Sequence, residues 1–116
     1  VMALTCPGGE ATRNLIDDAV FEALGGDGYL INIARGSVVD EAALVRALSN
    51  DTIAGAGLDV FAAEPHVPEA LFAMENVILQ PHQASATVET RTAMGNLTID
   101  NLLAHFQGKP LPNKVA

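Results

Sequence analysis

Four side chains able to bind an anion or carry a proton stand where apolar runs of the sequence end. Arg35 follows the run 29–34, Asp59 and Glu64 lie at and beyond the end of 53–60, and His82 follows 77–79. A histidine near a carboxylate gains a partner for its charged form, so it can hold a proton near neutral pH and pass it to an oxygen. An arginine offers a planar fork of donors that fits a carboxylate and polarises an adjoining carbonyl as negative charge develops. Those parts would reduce a 2-oxo acid if a nicotinamide cofactor delivered the hydride. Each residue also has a plain reading. Arg35 alone would be a solvated loop arginine, Asp59 a turn cap, Glu64 a surface carboxylate before Pro65, and His82 a hydrogen-bonded structural histidine. Their shared placement is what points to a cleft, because surface charges have no reason to gather at the same end of every run.

Bringing these groups together requires strand ends side by side, and the pattern supplies them. Residues 1–4 read as a strand left through the loop Thr5-Cys6-Pro7-Gly8-Gly9. Asp17 is placed to cap a helix reaching Leu24, with Val20, Phe21 and Leu24 on one side, and Gly25-Gly26-Asp27-Gly28 ends it. Residues 29–34 form a second strand. Asp40 caps the next helix, whose apolar side is Leu44, Val45 and Leu48, and Asn50-Asp51 breaks it. A third strand over 53–60 holds Gly55, Ala56 and Gly57, small residues that suggest close approach of backbone or ligand. Pro65 and Pro68 interrupt the chain, 71–74 makes one helical turn, and 77–79 is a fourth strand stopped by Pro81. From 87 to 106 there is no proline, and Met94, Leu97, Ile99, Leu102, Leu103 and Phe106 recur mostly three or four apart. That spacing predicts a helix of about twenty residues, ~30 Å long, expected to pack against a neighbour and to end at Lys109-Pro110-Leu111-Pro112. Strand and helix in alternation predict an α/β fold with a parallel sheet. The strand composition suits burial on both faces. In such sheets ligands bind beyond the carboxyl ends of the strands.

Composition narrows the partners. With 14 acidic and 6 basic residues the net charge is -8, and no basic stripe exists to neutralise nucleic-acid phosphates. No apolar run approaches the ~18 residues of a membrane span. A single cysteine, Cys6, cannot form an internal disulfide, which fits a reducing, cytoplasmic compartment. No metal site is expected. Because the chain opens on an apolar run without a methionine, an N-terminal portion is expected to precede it.

The segments "INIARGSVVDEAALVRAL", "GAGLDVFAAEP" and "PHQASATVETR", in this order and spacing, resemble the D-isomer-specific 2-hydroxyacid dehydrogenases. The resemblance covers the whole chain. It is strongest to glyoxylate/hydroxypyruvate reductases, through "PHQASATVETR" and "NLLAHFQGKPL". It implies the second half of a Rossmann-type doubly wound parallel sheet with a long C-terminal helix. Residues 1–86 would be the C-terminal half of a dinucleotide-binding domain, and 87–116 a helix and tail returning toward a substrate domain. It further implies that Arg35 binds the substrate's carboxylate and carbonyl, and that His82 is the general acid/base paired with Glu64. Asp59 would orient the nicotinamide carboxamide. Ile33, Ala34, Ala84 and Ser85 would lie beside the cofactor, and Cys6 and Pro7 near the adenosine ribose. The implied substrate is a small 2-oxo acid, and the implied assembly of the full-length protein is a homodimer. The implied cofactor is NAD or NADP: Gly25-Gly26-Asp27-Gly28 follows a helix and precedes a strand, the wrong order for a phosphate loop, and the residue choosing between the two would lie upstream. Three alternatives stand beside this reading. Formate dehydrogenase, in the same superfamily, carries glutamine where this chain has Glu64. A nucleotide-sensing corepressor scaffold of the same fold could keep Arg35, Glu64 and His82. A structural half-domain without a ligand predicts that those three side chains point apart.

Overall fold

Parallel neighbours in a sheet need crossover connections, and helices supply most of them here. The computed structural model describes residues 1–114 and contains a four-stranded parallel sheet. Its strands are β1 (Met2–Leu4), β2 (Tyr29–Asn32), β3 (Gly55–Leu58) and β4 (Val77–Leu79), hydrogen-bonded in that order. Leu4 pairs with Asn32, Asn32 with Leu58, and Leu58 with Leu79, so the four strands end in one row. Whatever follows each strand therefore leaves from a common edge.

Two helices cover one face, and both begin where the expected caps stand. Asp17 Oδ1 accepts from the N–H of Val20 at the start of α1 (Asp18–Leu24), and Asp40 Oδ1 accepts from Ala42 and Ala43 at the start of α2 (Glu41–Ser49). Their apolar sides meet the sheet face that carries Leu4, Leu30, Ala56 and Leu58. Phe21, Leu30, Leu44 and Ile53 are fully enclosed there, each burial worth roughly 1.5–3 kcal/mol. The connection between β3 and β4 is a 3-10 turn (Glu69–Ala73) that inserts Leu71 into the same core.

Burial on both sheet faces does not hold within these residues. Tyr29, Ile33 and Ile78 on the opposite face are 48%, 51% and 67% exposed. The glycines of β3 serve their neighbours. A Cβ on Gly55 would lie 3.2 Å from the Tyr29 ring and 2.5 Å from the carbonyl oxygen of Asn76, and one on Gly57 would lie 3.1 Å from Ile31 Cδ1. The small residues thus make room for large cross-strand partners and a neighbouring backbone.

Two strands are shorter than their apolar runs. The β2 pairing stops at Asn32 because the side-chain oxygen of Asn32 takes the N–H of Ala34. β3 starts only at Gly55, since the N–H groups of Thr52 and Ile53 turn back to Ala47 at the end of α2.

A second compact unit begins at Gln83. Thr87 caps α3 (Val88–Phe106), its Oγ1 accepting from Thr90 N–H, one residue from the expected start. No α3 residue is buried, and the expected packing of its apolar positions is not seen among the described residues. Beyond it Lys109 N–H bonds to Ala104 O and Asn113 N–H to Asn101 Oδ1. The last residues of the expected tail, Val115 and Ala116, lie outside the described residues. Among the described residues no helix is long and apolar enough to cross a membrane.

Candidate active site

The exit of β2 is shaped by a buried amide. Asn32 Oδ1 accepts from Ala34 N–H at 3.0 Å and Asn32 Nδ2 donates to the carbonyl of Arg35 at 3.1 Å, diverting the chain out of the strand. Arg35 Nη1 donates to Ala34 O at 2.6 Å, which occupies one of the guanidinium's five N–H donors. Its stem lies against Gly8, where a Cβ would approach Arg35 Cγ to 2.8 Å.

Gly36 opens the 3-10 turn 36–38 without a positive φ, so the turn itself does not demand a glycine. A Cβ there would fall 1.9 Å from the carbonyl carbon of Phe61 and 2.3 Å from Ala62 N. The absence of a side chain lets the segment after β3 lie directly on the Arg35 turn. That segment is then fixed by two carboxylates. Glu41, the first residue of α2, accepts from Ala62 N–H at 2.7 Å, and Glu64 Oε1 accepts from Phe61 N–H at 2.9 Å.

The other oxygen of Glu64 faces His82: Oε2 lies 2.8 Å from Nδ1. His82 has φ +50°, the left-handed region that non-glycine residues seldom occupy, just after Pro81. Such a residue persists only when its surroundings over-determine it. The imidazole and carboxylate are 48% and 36% exposed, so water reaches both.

Glu64 is held below the usual carboxylate range, first by its hydrogen bond with His82, then by the Phe61 N–H, against a smaller upward push from burial; the charges of His82 and Arg35 add to the lowering. A carboxyl whose pKa falls on folding contributes stability above its unfolded value, and that contribution disappears as pH drops through the folded value. Unfolding of the wild type is therefore expected to lose midpoint temperature below about pH 4.5 more steeply than unfolding of Glu64→Gln, by a modest amount because solvent screens the pair. Parallel melting curves at pH 3 to 6 check this, and identical slopes would remove the pairing from the acid response.

Arg35, Phe61, Glu64 and His82 line one hollow of about 360 Å³. Arg35 also borders a second, of about 660 Å³, with Cys6, Pro7, Gly8, Ile33 and Ala34. This second hollow lies where the chain leaves the carboxyl ends of β1 and β2, the edge at which ligands bind in such sheets. Asp59 is instead buried at 6% exposure, its N–H on Asn32 O at 3.0 Å, and lines neither hollow. Ala84 and Ser85 belong to the second unit. Pattern reading missed Asn32, Glu41 and Gly8. For Asn32 a signal existed: a lone amide inside an otherwise apolar run.

Comparison with known proteins gives a consistent picture. Residues 1–84 match the family described as D-isomer specific 2-hydroxyacid dehydrogenase, NAD binding domain. The chain is 57% identical over 111 residues to a 2-ketogluconate reductase of Gluconobacter oxydans, covering 96% of this chain and 36% of that protein. It is 54% identical, with the same two coverages, to a glyoxylate/hydroxypyruvate reductase of Arabidopsis thaliana. Among solved structures, it superposes with a TM-score of 0.95 on the NADPH-dependent glyoxylate/hydroxypyruvate reductase of Sinorhizobium meliloti in complex with NADP and malonate. That match has 54% identity and covers 98% of this chain and 36% of the other. The chain thus spans about a third of the length of these relatives.

Proposed function

This chain belongs to the D-isomer specific 2-hydroxyacid dehydrogenases, as part of their NAD(P)-binding domain, and we propose that it acts within a longer polypeptide reducing small 2-oxo acids to D-2-hydroxy acids. The observation that carries this reading is the 2.8 Å pair of His82 Nδ1 and Glu64 Oε2 on a hollow that also contains Arg35. NAD(P)H, when bound, supplies the hydride, and the walls around Cys6, Pro7, Ile33 and Ala34 would hold it. Arg35 binds the substrate carboxylate with the donors not spent on Ala34 and draws electron density from the carbonyl. Glu64, ionised below the usual range, fixes the imidazole through Nδ1 and leaves Nε2 to give a proton to the carbonyl oxygen. Asp59, Ala84 and Ser85 are assigned to the cofactor by resemblance. Residues 1–86 would complete the cofactor domain, and 87–116 would return toward a substrate domain in a homodimer.

Relatives named for glyoxylate, hydroxypyruvate and 2-ketogluconate support small 2-oxo acids as the substrate class. The structural half-domain reading requires Arg35, Glu64 and His82 to point apart, and their common hollow counts against it. The test is NADH or NADPH oxidation by the full-length protein with glyoxylate, hydroxypyruvate and 2-ketogluconate. Turnover is expected with at least one, and none from the isolated 116-residue chain. Absence of turnover with all three, or robust activity from the isolated chain, overturns the reading.

A further inference from the structure

We propose that Asn32 is a positioning residue for Arg35, setting the place at which the guanidinium meets substrate; this rests on the substrate-binding role of Arg35 proposed above. Asn32 is the last residue of β2 and only 2% exposed. A buried amide is costly unless its donor and acceptor are both used, and here both are spent within three residues. Oδ1 takes the Ala34 N–H and Nδ2 donates to the Arg35 carbonyl. The Arg35 carbonyl also accepts from Val38 N–H at 3.2 Å, and the Ala34 carbonyl accepts from the Arg35 guanidinium. The polar groups on both sides of the 34–35 peptide are thus tied down, and every tie but the Val38 bond runs through Asn32 or Arg35 itself.

The main chain of Asn32 anchors this arrangement to the sheet, since its carbonyl accepts from Asp59 N–H on the neighbouring chain segment at 3.0 Å. Without the amide, the apolar Ile33 and Ala34 are free to continue the strand into Arg35, whose backbone is already extended. Each further strand residue advances the chain about 3.3 Å, which shifts Arg35 along the strand direction and changes its place in the hollow it shares with Glu64 and His82. Asn32 therefore sets where the strand ends, and through that where Arg35 stands.

The test uses Asn32→Asp in the full-length enzyme. This variant keeps the size and the acceptor for Ala34 but sets an oxygen against the Arg35 carbonyl. KM for the 2-oxo acid is expected to rise about tenfold, as loss of one buried hydrogen bond implies, with kcat changed much less. The rise is expected to shrink in acid, where a protonated carboxyl again donates. Asn32→Ser, whose hydroxyl can still accept from a backbone N–H two residues on, is expected to raise KM similarly. In an Arg35→Ala background neither change adds a further rise, because the group they place is gone. Unchanged KM in both variants, effects fully additive with Arg35→Ala, or failure of both to fold overturns the role of Asn32. An unchanged KM in Arg35→Ala alone overturns the underlying assignment of Arg35 instead.

Discussion

In the full-length enzyme His82→Ala is expected to lower kcat for 2-oxo acid reduction about 10²–10⁴-fold, the usual worth of a positioned general acid, with KM little changed. The split follows from where the group acts. Binding of the carboxylate is assigned to Arg35, whereas the imidazole matters most as the carbonyl oxygen gains charge, so its loss is felt in the transition state. The left-handed backbone at residue 82 complicates a simple alanine reading, since alanine tolerates φ +50° no better than histidine. His82→Asn is the sharper companion. Asparagine accepts that region more readily and can still bond to Glu64, but it has no proton to transfer at neutral pH. Both variants should be similarly slow in steady-state assays, and near-normal kcat in either would take proton transfer away from His82.

Gly36→Ala is expected to be the most damaging small substitution in the chain. The added carbon would sit 1.9 Å from Phe61 C and 2.1 Å from Phe61 O, backbone atoms that no rotamer change can move. The two segments must separate, at a cost of about 1–3 kcal/mol or more. Separation displaces the stretch between Phe61 and Glu64 while the Arg35 turn stays with β2. We expect a lowered unfolding midpoint and, in the molecules that remain folded, a fall in kcat/KM exceeding that of Gly8→Ala, whose clash is with the flexible Arg35 side chain. A variant with wild-type stability and activity would show that the contact is dispensable.

Most of the scaffold was legible because its signals are local. Asp17 and Asp40 mark helix starts through their own side-chain oxygens. The residues at the strand exits were legible too, since the parallel pattern predicts that strands end at one edge and Arg35, Glu64 and His82 follow three of them. Less legible were the features that depend on what crosses in space. Nothing near Gly36 in the sequence reveals Phe61. Glu41 reads as an ordinary first-turn acid of a helix until Ala62 N–H is found against it. The apolar residues of α3 carried a helical period that predicted the helix and a packing neighbour, but among the described residues they are exposed or half-buried, because period alone does not say what covers a face.

The contact between Gly36 and Phe61 also bears on how the protein acquires its chemistry. Arg35 arrives with β2, Glu64 only after β3, and His82 only after β4. Each piece is delivered by a separate crossover, and non-local pairings of this kind form late and slowly. A chain that has joined only β1 and β2 already owns its arginine but has no acid to use with it. In the full-length protein, with the roles proposed for these residues, turnover recovered during refolding would register only molecules in which all three are in place, a stricter measure of assembly than helix content.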